Sequence, residues 1–402
     1  MKDIDVLYYS CPYDLSGYGA VSRNHLKNLI DYKKLGLNLR LRVKKFWGGV
    51  SPDLGEAGKA LRDLEKTPIA SENFIFLEHL TPENFFIDPR AGYHIAYTPF
   101  ETDSAPISWL LPLRGMDEIW VPSRHNKSAY AKVGINPDKI HVIQHGVEIE
   151  RFNPTVEPLK YNRGKFNFGS MFDWTERKNP IALIRAYYNA FFKGEDVTLT
   201  IRTFWRFPLE KSKEYIMSEV QKIKEGYGGR KHFPKILFWF DTLNEDIVPN
   251  LYRSFDCFVL PTRGEGFGLP FIEAMACGVP TIGPKWGGNT EFMNDANSML
   301  VEGKVVPIEN QMFLKMQPQY GGQSWFDINE VELSHAMRWV YDHAEKAQKI
   351  ADNGVKDVQE NWTWKKTAAK IYKRLEEINQ MIKGSEVVKN DMNFMGVQGE
   401  DN

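Results

Sequence analysis

A strand, a glycine-rich loop and a helix follow one another within residues 257–280, and this stretch constrains the fold more than any other part of the chain. Cys257–Leu260 is a short apolar run of the kind found in buried parallel strands. Glycine occupies every second position of the loop from 264 to 268, and a helix is predicted over Leu269–Cys277. Such a unit directs backbone N–H groups and the positive end of a helix toward an anionic ligand. The stretch therefore predicts an α/β fold with an anion-binding loop.

Two glutamates, Glu265 and Glu273, lie inside this stretch. Carboxylates suit a phosphate poorly, but they accept hydrogen bonds from the hydroxyls of a ribose or a sugar. The alternative is that Glu265 is a solvated loop charge and that Glu273 interacts with the helix dipole. Because the surrounding glycines let a ligand approach the backbone, we favour a binding role for both.

Apolar runs that predict strands alternate with helical patterns along the chain. The other strands are predicted at Val6–Ser10, Leu37–Phe46, Asn73–Leu77, Tyr93–Tyr97, Asp117–Ser123, Lys139–Ile143, Lys165–Phe172, Val197–Thr203 and Ile236–Phe240. This alternation indicates doubly wound parallel sheets. Because 402 residues exceed the size of one hydrophobic core, we expect two Rossmann-like domains that face each other across a cleft.

The domain boundary is predicted near Pro154, where the alternating pattern pauses. Residues 1–155 then form the first domain and residues 156–363 the second. One long helix is predicted over residues 364–384, and the polar residues 385–402 are predicted to be disordered.

The composition excludes several classes of protein. A formal net charge of -1 gives no overall attraction to nucleic acid or anionic membranes. Cys11, Cys257 and Cys277 lie in apolar contexts, which predicts buried, reduced thiols. The N-terminus shows no signal-peptide pattern, and no apolar run reaches the ~18–20 residues that span a bilayer. These features predict a cytoplasmic protein.

No metal site is predicted. Asp3 and Asp5 form an Asp-x-Asp pair, but they precede the first strand, and we interpret them as a solvated start of the chain. No group of His and Cys residues has the spacing of metal ligands.

Adjacent cations, Arg177 and Lys178, lie between a predicted strand and a predicted helix in the second domain. Cations at a helix N-terminus oppose the helix dipole, so an anion is expected close by. A solvated turn is the alternative. In the first domain, Gly17 and Gly19 lie in the first strand–helix loop, where Ser22 replaces the third glycine of a dinucleotide-binding fingerprint. A tight turn explains these two glycines equally well.

The segment Glu265–Glu273, with seven residues between its glutamates, resembles a motif of retaining glycosyltransferases with the GT-B architecture (family four, group 1 type). The Ala-Met-Ala-Cys-Gly-Val-Pro sequence that follows and the pair Gly287-Gly288 extend the resemblance. It is strongest over residues 166–300. The family architecture implies that the terminal helix returns to the first domain.

The resemblance implies a role for each matched position. Glu265 would hold hydroxyls of the transferred sugar, while Arg177 and Lys178 would neutralise the donor diphosphate; these are the implied catalytic residues. The implied donor-binding residues are Gly17, Gly19, Gly266, Phe267, Gly268, Leu269 and Glu273, the last on the ribose hydroxyls.

The acceptor side is predicted less fully. Many family members carry a histidine after the fourth strand, near the transferred sugar, and Tyr97 occupies the nearest position here. Tyr97, Glu101 and Asp103 are the acceptor-side candidates. A capping cluster before the next helix is the alternative for the two carboxylates.

A basic segment, residues 33–45, precedes these candidates in the first domain. We favour a solvated edge strand with protective charges. The alternative is contact with a polyanion, which would be an acidic glycan, a membrane surface or nucleic acid.

The sequence therefore predicts a retaining glycosyltransferase that needs no cofactor or metal. It would move a sugar from a nucleoside-diphosphate sugar to a hydroxyl of a glycan or lipid-linked glycan, as in polysaccharide biosynthesis. The alternatives are glycosylation of a modified DNA base, epimerisation of a sugar nucleotide, and non-catalytic binding of a sugar nucleotide.

Overall fold

Two parallel sheets flanked by helices form the structure, a computed structural model that describes residues 3–44, 54–70, 72–204, 209–240 and 245–396. Each sheet has six strands within these residues. The predicted pair of α/β halves is confirmed. The domain boundary at residue 155 stays a prediction, although the chain passes from the first sheet to the second between Val142 and Phe166.

The first sheet has the strand order β2-β1-β3-β4-β5-β6, and all its pairings are parallel. Its strands are β1 (Ile4–Ser10), β2 (Leu37–Val43), β3 (Phe74–His79), β4 (Ala91–Tyr97), β5 (Glu118–Val121) and β6 (Ile140–Val142). Its helices are α1 (Gly17–Leu29), α2 (Gly55–Lys66), α3 (Leu110–Arg114) and α4 (Arg124–Lys132). The strand order reverses between β1 and β3, so their carboxyl ends open a crevice.

The second sheet has the order β12-β11-β10-β7-β8-β9 and is also parallel. Its strands are β7 (Phe166–Asp173), β8 (Val197–Phe204), β9 (Lys235–Trp239), β10 (Cys257–Val259), β11 (Thr281–Pro284) and β12 (Met299–Val301). Its first helices are α5 (Pro180–Ala190), α6 (Leu209–Glu225), α7 (Val248–Arg253) and α8 (Leu269–Ala276). Here the order reverses between β7 and β10.

A hairpin that the sequence did not predict joins the two domains. It contains β13 (Gly303–Pro307), α9 (Gln311–Met316) and the antiparallel β14 (Ser324–Ile328). Phe313, Tyr320 and Trp325 are buried in one cluster with side chains of the first domain. We call residues 303–328 the bridging hairpin.

The chain ends in α10 (Glu330–Asp342), α11 (Ala344–Asn361) and α12 (Trp364–Gly396). The return of the last helix to the first domain is confirmed, because Ile371 and Leu375 are buried in the core of the first sheet. Arg374 also donates to the buried carboxylate of Glu118. The predicted end at residue 384 is wrong, because the helix continues to Gly396. No proline follows residue 384, and the single glycine at that position does not end the helix. Residues 397–402 of the predicted disordered tail lie outside the described residues.

The two chain crossings between the domains lie side by side. The backbone N–H of Val147 donates to the carbonyl of Trp362 at 2.9 Å, and Val147 forms a parallel bridge with Thr363. A Cβ atom at Gly146 would lie 2.4 Å from the backbone nitrogen of Trp364, so only glycine allows this approach.

Short 3-10 helices complete the described structure, at Ile30–Leu35, Pro82–Asn84, Ile107–Trp109, Pro137–Lys139, Glu176–Lys178, Glu245–Ile247, Gly288–Glu291 and Pro318–Tyr320.

Strand bounds differ slightly from the predicted ones. For example, β5 ends at Val121 because Pro122 cannot donate a ladder hydrogen bond. The predicted strand 37–46 ends at Val43, and its last residues lie outside the described residues.

The predicted edge strand in the basic segment is confirmed, because β2 is an edge of the first sheet. The guanidinium of Arg42 lies over the rings of Tyr9 and Phe86, at 5.2 and 4.7 Å from their centres. This cation is therefore used in the fold itself. Lys45 lies outside the described residues.

Candidate active site

The predicted catalytic residues lie at the point where the strand order of the second sheet reverses. Arg177 and Lys178 follow β7, and Glu265 follows the neighbouring strand β10. Loops at such reversal points bind ligands in open α/β sheets, because the carboxyl ends of two adjacent strands diverge there. The topology thus brings together residues that are 87 positions apart in the chain.

Glu265 is bound by both cations. The Nζ of Lys178 lies 2.5 Å from Oε1 of Glu265, and Nη1 of Arg177 lies 3.4 Å from the same oxygen. Burial alone would raise the pKa of the Glu265 carboxyl, but the charges of Lys178 and Arg177 outweigh burial, and the pKa is lowered. Glu265 is therefore a carboxylate near neutral pH. Arg177 is held further by the carbonyl of Gly264, 2.8 Å from Nη1.

This pairing differs from the expectation that the two cations bind only a diphosphate and the two glutamates bind only hydroxyls. Both groups are buried, with 9% of each of the Lys178 and Glu265 side chains exposed. A buried charge without a partner is costly, so two cations and a carboxylate in one small space neutralise one another. An anionic ligand at Arg177 or Lys178 has to compete with Glu265.

Glu273 lies one turn into α8 and accepts a hydrogen bond from the hydroxyl of Tyr252 at 2.9 Å. It borders a cavity of about 270 Å³ between the two domains. The cavity lining is Ala20, Arg23, Asn24, Lys27, Gly146, Val147, Glu148, Arg151, Phe152, Val248, Leu269, Glu273 and Trp364. Glu273 and Leu269 thus share a space with the first turns of α1, as a site between domains requires.

The loop before α8 presses against the first domain. A Cβ atom at Gly264 would lie 2.0 Å from the carbonyl oxygen of Glu101, and one at Gly266 would lie 2.7 Å from Cβ of Pro99. The Ser123 hydroxyl donates to the carbonyl of Gly266 at 2.8 Å. These glycines are required for contact between the domains, in addition to any contact with a ligand.

Gly268 and Phe267 shape the start of α8. Gly268 has φ of 99°, a left-handed conformation that favours glycine, and the helix begins at the next residue. Phe267 is buried, and its ring lies 5.1 Å from that of His145 and 4.9 Å from that of Phe292. In this structure the Phe267 side chain is a packing group, and only its backbone is left to contact a ligand.

The two glycines of the first loop have different surroundings. Ser16 caps α1 and accepts from the N–H of Gly19 at 3.4 Å. A Cβ atom at Gly19 would lie 2.0 Å from the carbonyl oxygen of Asp14, whereas Gly17 has nothing within 4 Å of that position. Gly19 is therefore required by the turn, and Gly17 is open at the N-terminus of α1.

Tyr97 does not face the cleft in the structure. It is fully buried, its hydroxyl donates to the carbonyl of Ile143 at 2.6 Å, and its ring stacks on those of His25 and His79. The acceptor-side interpretation of Tyr97 is therefore not supported by its position. An aromatic ring at the end of a central strand is buried when the neighbouring strands supply stacking partners.

Glu101 and Asp103 both contact the second domain. Oε1 of Glu101 lies 3.6 Å from Nη2 of Arg177. Asp103 accepts from the N–H of Ser324 at 2.7 Å and pairs with Lys132. Asp103 therefore binds the bridging hairpin, while Glu101 reaches the predicted catalytic cation Arg177.

The bridging hairpin adds residues to the site that sequence reasoning missed. Tyr320 donates to Oε2 of Glu101 at 2.9 Å, and Asn310 donates to Oε2 of Glu176 at 2.5 Å. Gln323 is hydrogen-bonded to Thr102. The aromatic residues between positions 313 and 326 were the available signal, since they are too many for an exposed loop.

Three buried histidines, His25, His79 and His145, lie beneath the cleft. The hydroxyl of Tyr8 is 2.9 Å from Nδ1 of His25 and 3.1 Å from Nδ1 of His79. Burial lowers the pKa of all three, to about 3 for His79. Their neutral state makes them part of the core.

Among the described residues, no three His, Cys, Asp or Glu side chains are placed to hold a metal ion together. Independence from metal remains a prediction. Cys11, Cys257 and Cys277 are free and buried, as predicted. No helix in the described ranges is long and apolar enough to span a membrane.

The fold is the two-domain GT-B fold of glycosyltransferases. The structure superposes on Anabaena HepE in complex with UDP and glucose with a TM-score of 0.62, covering 93% of this chain and 99% of that one at 15% identity. For sucrose-phosphate synthase from Thermosynechococcus elongatus the TM-score is 0.61, with the same coverage and 15% identity. At this identity the likeness concerns the fold alone.

The resemblance to group 1 glycosyltransferases is also confirmed, and the second domain carries it. Residues 169–312 match the family model described as Glycosyl transferases group 1. That range runs from within β7 to the first residues of α9 and includes both loops with the predicted catalytic residues.

Several curated proteins are related in sequence. A GDP-mannose-dependent monoacylated alpha-(1-6)-phosphatidylinositol monomannoside mannosyltransferase of Corynebacterium glutamicum is 28% identical over 48% of this chain and 50% of its own length. Mannosylfructose-phosphate synthase of Agrobacterium fabrum is 30% identical, over 39% of this chain and 34% of its own. The Escherichia coli UDP-Gal:alpha-D-GlcNAc-diphosphoundecaprenol alpha-1,3-galactosyltransferase is 27% identical, over 42% and 41%. The chain spans about half the length, or less, of these relatives.

Proposed function

We propose that this protein is a retaining glycosyltransferase that transfers a sugar from a nucleoside-diphosphate sugar to a hydroxyl of a glycan or lipid-linked acceptor. The observation that carries the proposal is the cluster of Arg177, Lys178 and Glu265 at the strand-order reversal of the second sheet, directly opposite Glu101 of the first domain. A transferase needs positive charge for the leaving diphosphate and hydrogen-bond acceptors for the sugar, and this cluster has both.

The two cations would act on the leaving group. As the bond between the sugar and the diphosphate breaks, negative charge grows on the diphosphate, and Arg177 and Lys178 are placed to stabilise it by charge-assisted hydrogen bonds. No metal is required for this step in the proposal. Glu265 lies between the two cations. When a ligand displaces one of these contacts, the carboxylate oxygen that is released would accept hydrogen bonds from the sugar.

Retention of configuration follows if the acceptor attacks from the face that the diphosphate leaves. The departing phosphate oxygen then takes the proton of the acceptor hydroxyl. The contact between the loop before α8 and the first domain would exclude water and limit hydrolysis of the donor. Glu273 would bind the ribose, because it borders the cavity between the domains.

The names of the related proteins favour transfer over epimerisation, since they are named as mannosyltransferase, synthase and galactosyltransferase. Contact of the basic segment, residues 33–45, with a membrane surface or another polyanion is the alternative to its role as an edge strand and is not needed for the proposal. Three free, buried cysteines accord with a reducing compartment, and we place the activity in the cytoplasm.

A binding screen followed by product analysis tests the proposal. The full chain is titrated with UDP, GDP and their sugars in a thermal-shift assay, and we expect one nucleotide series to raise the melting temperature. NMR of the product must then show the anomeric configuration of the donor. Conversion of the donor to an isomer without an acceptor would indicate an epimerase instead, and the absence of any nucleotide response would refute the proposal.

A further inference from the structure

Glu101 is bound at both oxygens by groups of the second domain. Its Oε1 lies 3.6 Å from Nη2 of Arg177, and its Oε2 accepts the hydroxyl of Tyr320 at 2.9 Å. Glu101 itself belongs to the loop after β4 of the first domain. A single carboxylate therefore links a predicted catalytic cation to the bridging hairpin across the cleft.

Arg177 has two carboxylate neighbours, and they are held differently. Glu265 is 9% exposed and lies 2.5 Å from Lys178, so it is tied into a buried pair. Glu101 is 26% exposed and lies at the longer distance of 3.6 Å from a 15% exposed Arg177. Glu265 lies at nearly the same distance from Arg177, 3.4 Å, but its pair with Lys178 and its burial hold it in place, whereas the more exposed Glu101 can move into solvent. An anion that competes for Arg177 displaces Glu101 first.

We propose that Glu101 is an exchangeable counter-ion of Arg177, which the donor diphosphate displaces. Tyr320 then keeps the released carboxylate beside the cleft, where its free oxygen accepts a hydrogen bond from an acceptor hydroxyl. This inference rests on the proposed function. It implies that the donor binds before the acceptor, because Glu101 is available only when a diphosphate occupies Arg177.

The bridging hairpin keeps Glu101 in place during this exchange. The ring of Tyr320 lies 5.1 Å from that of Phe100, and Tyr320 is buried. On the same loop, Asp103 accepts from Ser324 at 2.7 Å. These contacts do not involve Arg177, so they persist when Arg177 binds a diphosphate.

Isothermal titration with UDP and GDP tests the exchange without knowledge of the acceptor. In Glu101→Gln the competing charge is removed, so we expect the responding nucleotide to bind about 3- to 10-fold more tightly. In Tyr320→Phe the carboxylate loses its second partner and turns fully to Arg177, so we expect about 2- to 5-fold weaker binding. Changes of nucleotide affinity in opposite directions distinguish exchange from a structural role of Glu101, because a structural role would weaken binding in both variants.

The chain offers a matched control for the tyrosine. The Tyr93 hydroxyl donates to Oε1 of Glu118 at 2.9 Å, and Glu118 in turn pairs with Arg374 of α12. This second Tyr–Glu–Arg chain lies away from the cleft, so Tyr93→Phe should leave nucleotide affinity unchanged. Glu150→Gln, which removes a charge paired with Lys365 at 2.7 Å, controls for a general effect of net charge.

Each outcome decides between the possibilities. Tighter binding by Glu101→Gln together with weaker binding by Tyr320→Phe supports the exchange. If the wild-type protein binds a nucleotide and neither variant differs, or both bind more weakly, the exchange is overturned while the proposed function stands. If the wild-type protein binds neither nucleotide, the proposed function fails and the exchange fails with it.

Discussion

The Nζ of Lys178 lies 2.5 Å from Oε1 of Glu265, and both side chains are buried at the boundary between the two domains. The two residues lie in the segments that follow neighbouring strands of one sheet, β7 and β10. Each supplies the counter-charge that the other needs in a site from which water is largely excluded. Stability and the proposed chemistry therefore depend on the same pair.

Lys178→Met should destabilise the protein as well as inactivate it. The change leaves Glu265 buried with Arg177 as its remaining cation, and removal of one partner of a buried pair costs about 3–5 kcal/mol. The double variant Lys178→Met/Glu265→Gln should recover part of this loss. Urea unfolding of the wild type and of these two variants measures the effect.

A surface ion pair provides the control for this experiment. Lys222 and Glu219 lie 2.7 Å apart on α6, and the Lys222 side chain is 70% exposed. Lys222→Met should leave the free energy of unfolding nearly unchanged, because an exposed ion pair contributes little to stability. If Lys178→Met costs no more than this, the buried pair does not stabilise the fold.

Gly264→Ala should impair nucleotide binding by holding the domains apart. The new methyl group would lie 2.0 Å from the carbonyl oxygen of Glu101, so one of the two loops has to move. Gly384→Ala on α12 is the control, because nothing lies within 4 Å of its Cβ position. Titration with UDP and GDP should show at least a tenfold loss for Gly264→Ala and little change for Gly384→Ala. Equal affinities would contradict the close approach.

Acid should destabilise the protein through its buried histidines. The pKa of His79 falls from 6.5 to about 3 on folding because of burial, so the unfolded chain binds a proton below pH 6.5 that the folded chain does not. This stability is complete above pH 6.5 and is lost as the pH falls toward 3. One such group lowers the free energy of unfolding by about 2 kcal/mol between pH 7 and pH 5.

The variant His79→Asn tests whether burial of His79 causes the acid sensitivity. Asparagine retains a polar atom near Nδ1, which lies 3.1 Å from the hydroxyls of both Tyr8 and Ser22, but it does not titrate. Urea unfolding at pH 7 and pH 5 should show a smaller pH dependence in the variant than in the wild type. An unchanged pH dependence would assign the acid sensitivity to other groups.

Glu273→Gln should weaken the binding of UDP or GDP at least tenfold if this carboxylate holds the ribose. Tyr252→Phe removes only the hydroxyl that donates to Glu273 at 2.9 Å. Such a hydrogen bond contributes about 0.5–1.5 kcal/mol, so the Tyr252 variant should lose about 2- to 10-fold. Calorimetric titration measures both. A larger loss for Tyr252→Phe would contradict direct binding by Glu273.

The sheets could be predicted from the sequence because parallel strands are buried on both faces and appear as apolar runs. The donor side of the site followed for the same reason. Once β7 and β10 are adjacent strands, Arg177, Lys178 and Glu265 must lie at one edge of the sheet. That these groups pair with one another depends on side-chain distances, which the sequence pattern does not contain.

The acceptor side was predicted less well because it is built by contacts distant in the chain. Tyr320 and Glu101 are 219 residues apart, and no local pattern relates them. Tyr97 was assigned to the acceptor side because it occupies the position nearest to a histidine of the resembled family, whereas its ring is buried between His25 and His79. A position at the end of a strand predicts proximity to a cleft, but not the direction of the side chain.

The paired chain crossings at Val147 and Thr363 have a mechanical consequence. Two domains joined by one strand can swivel in any direction, whereas two hydrogen-bonded strands define an axis and permit rotation mainly about it. The bridging hairpin meets the first domain through Tyr320 and Glu101. The paired crossings thus act as a hinge with one main axis, and the Tyr320–Glu101 contact holds the two domains together beside Arg177, the cation that a donor would bind.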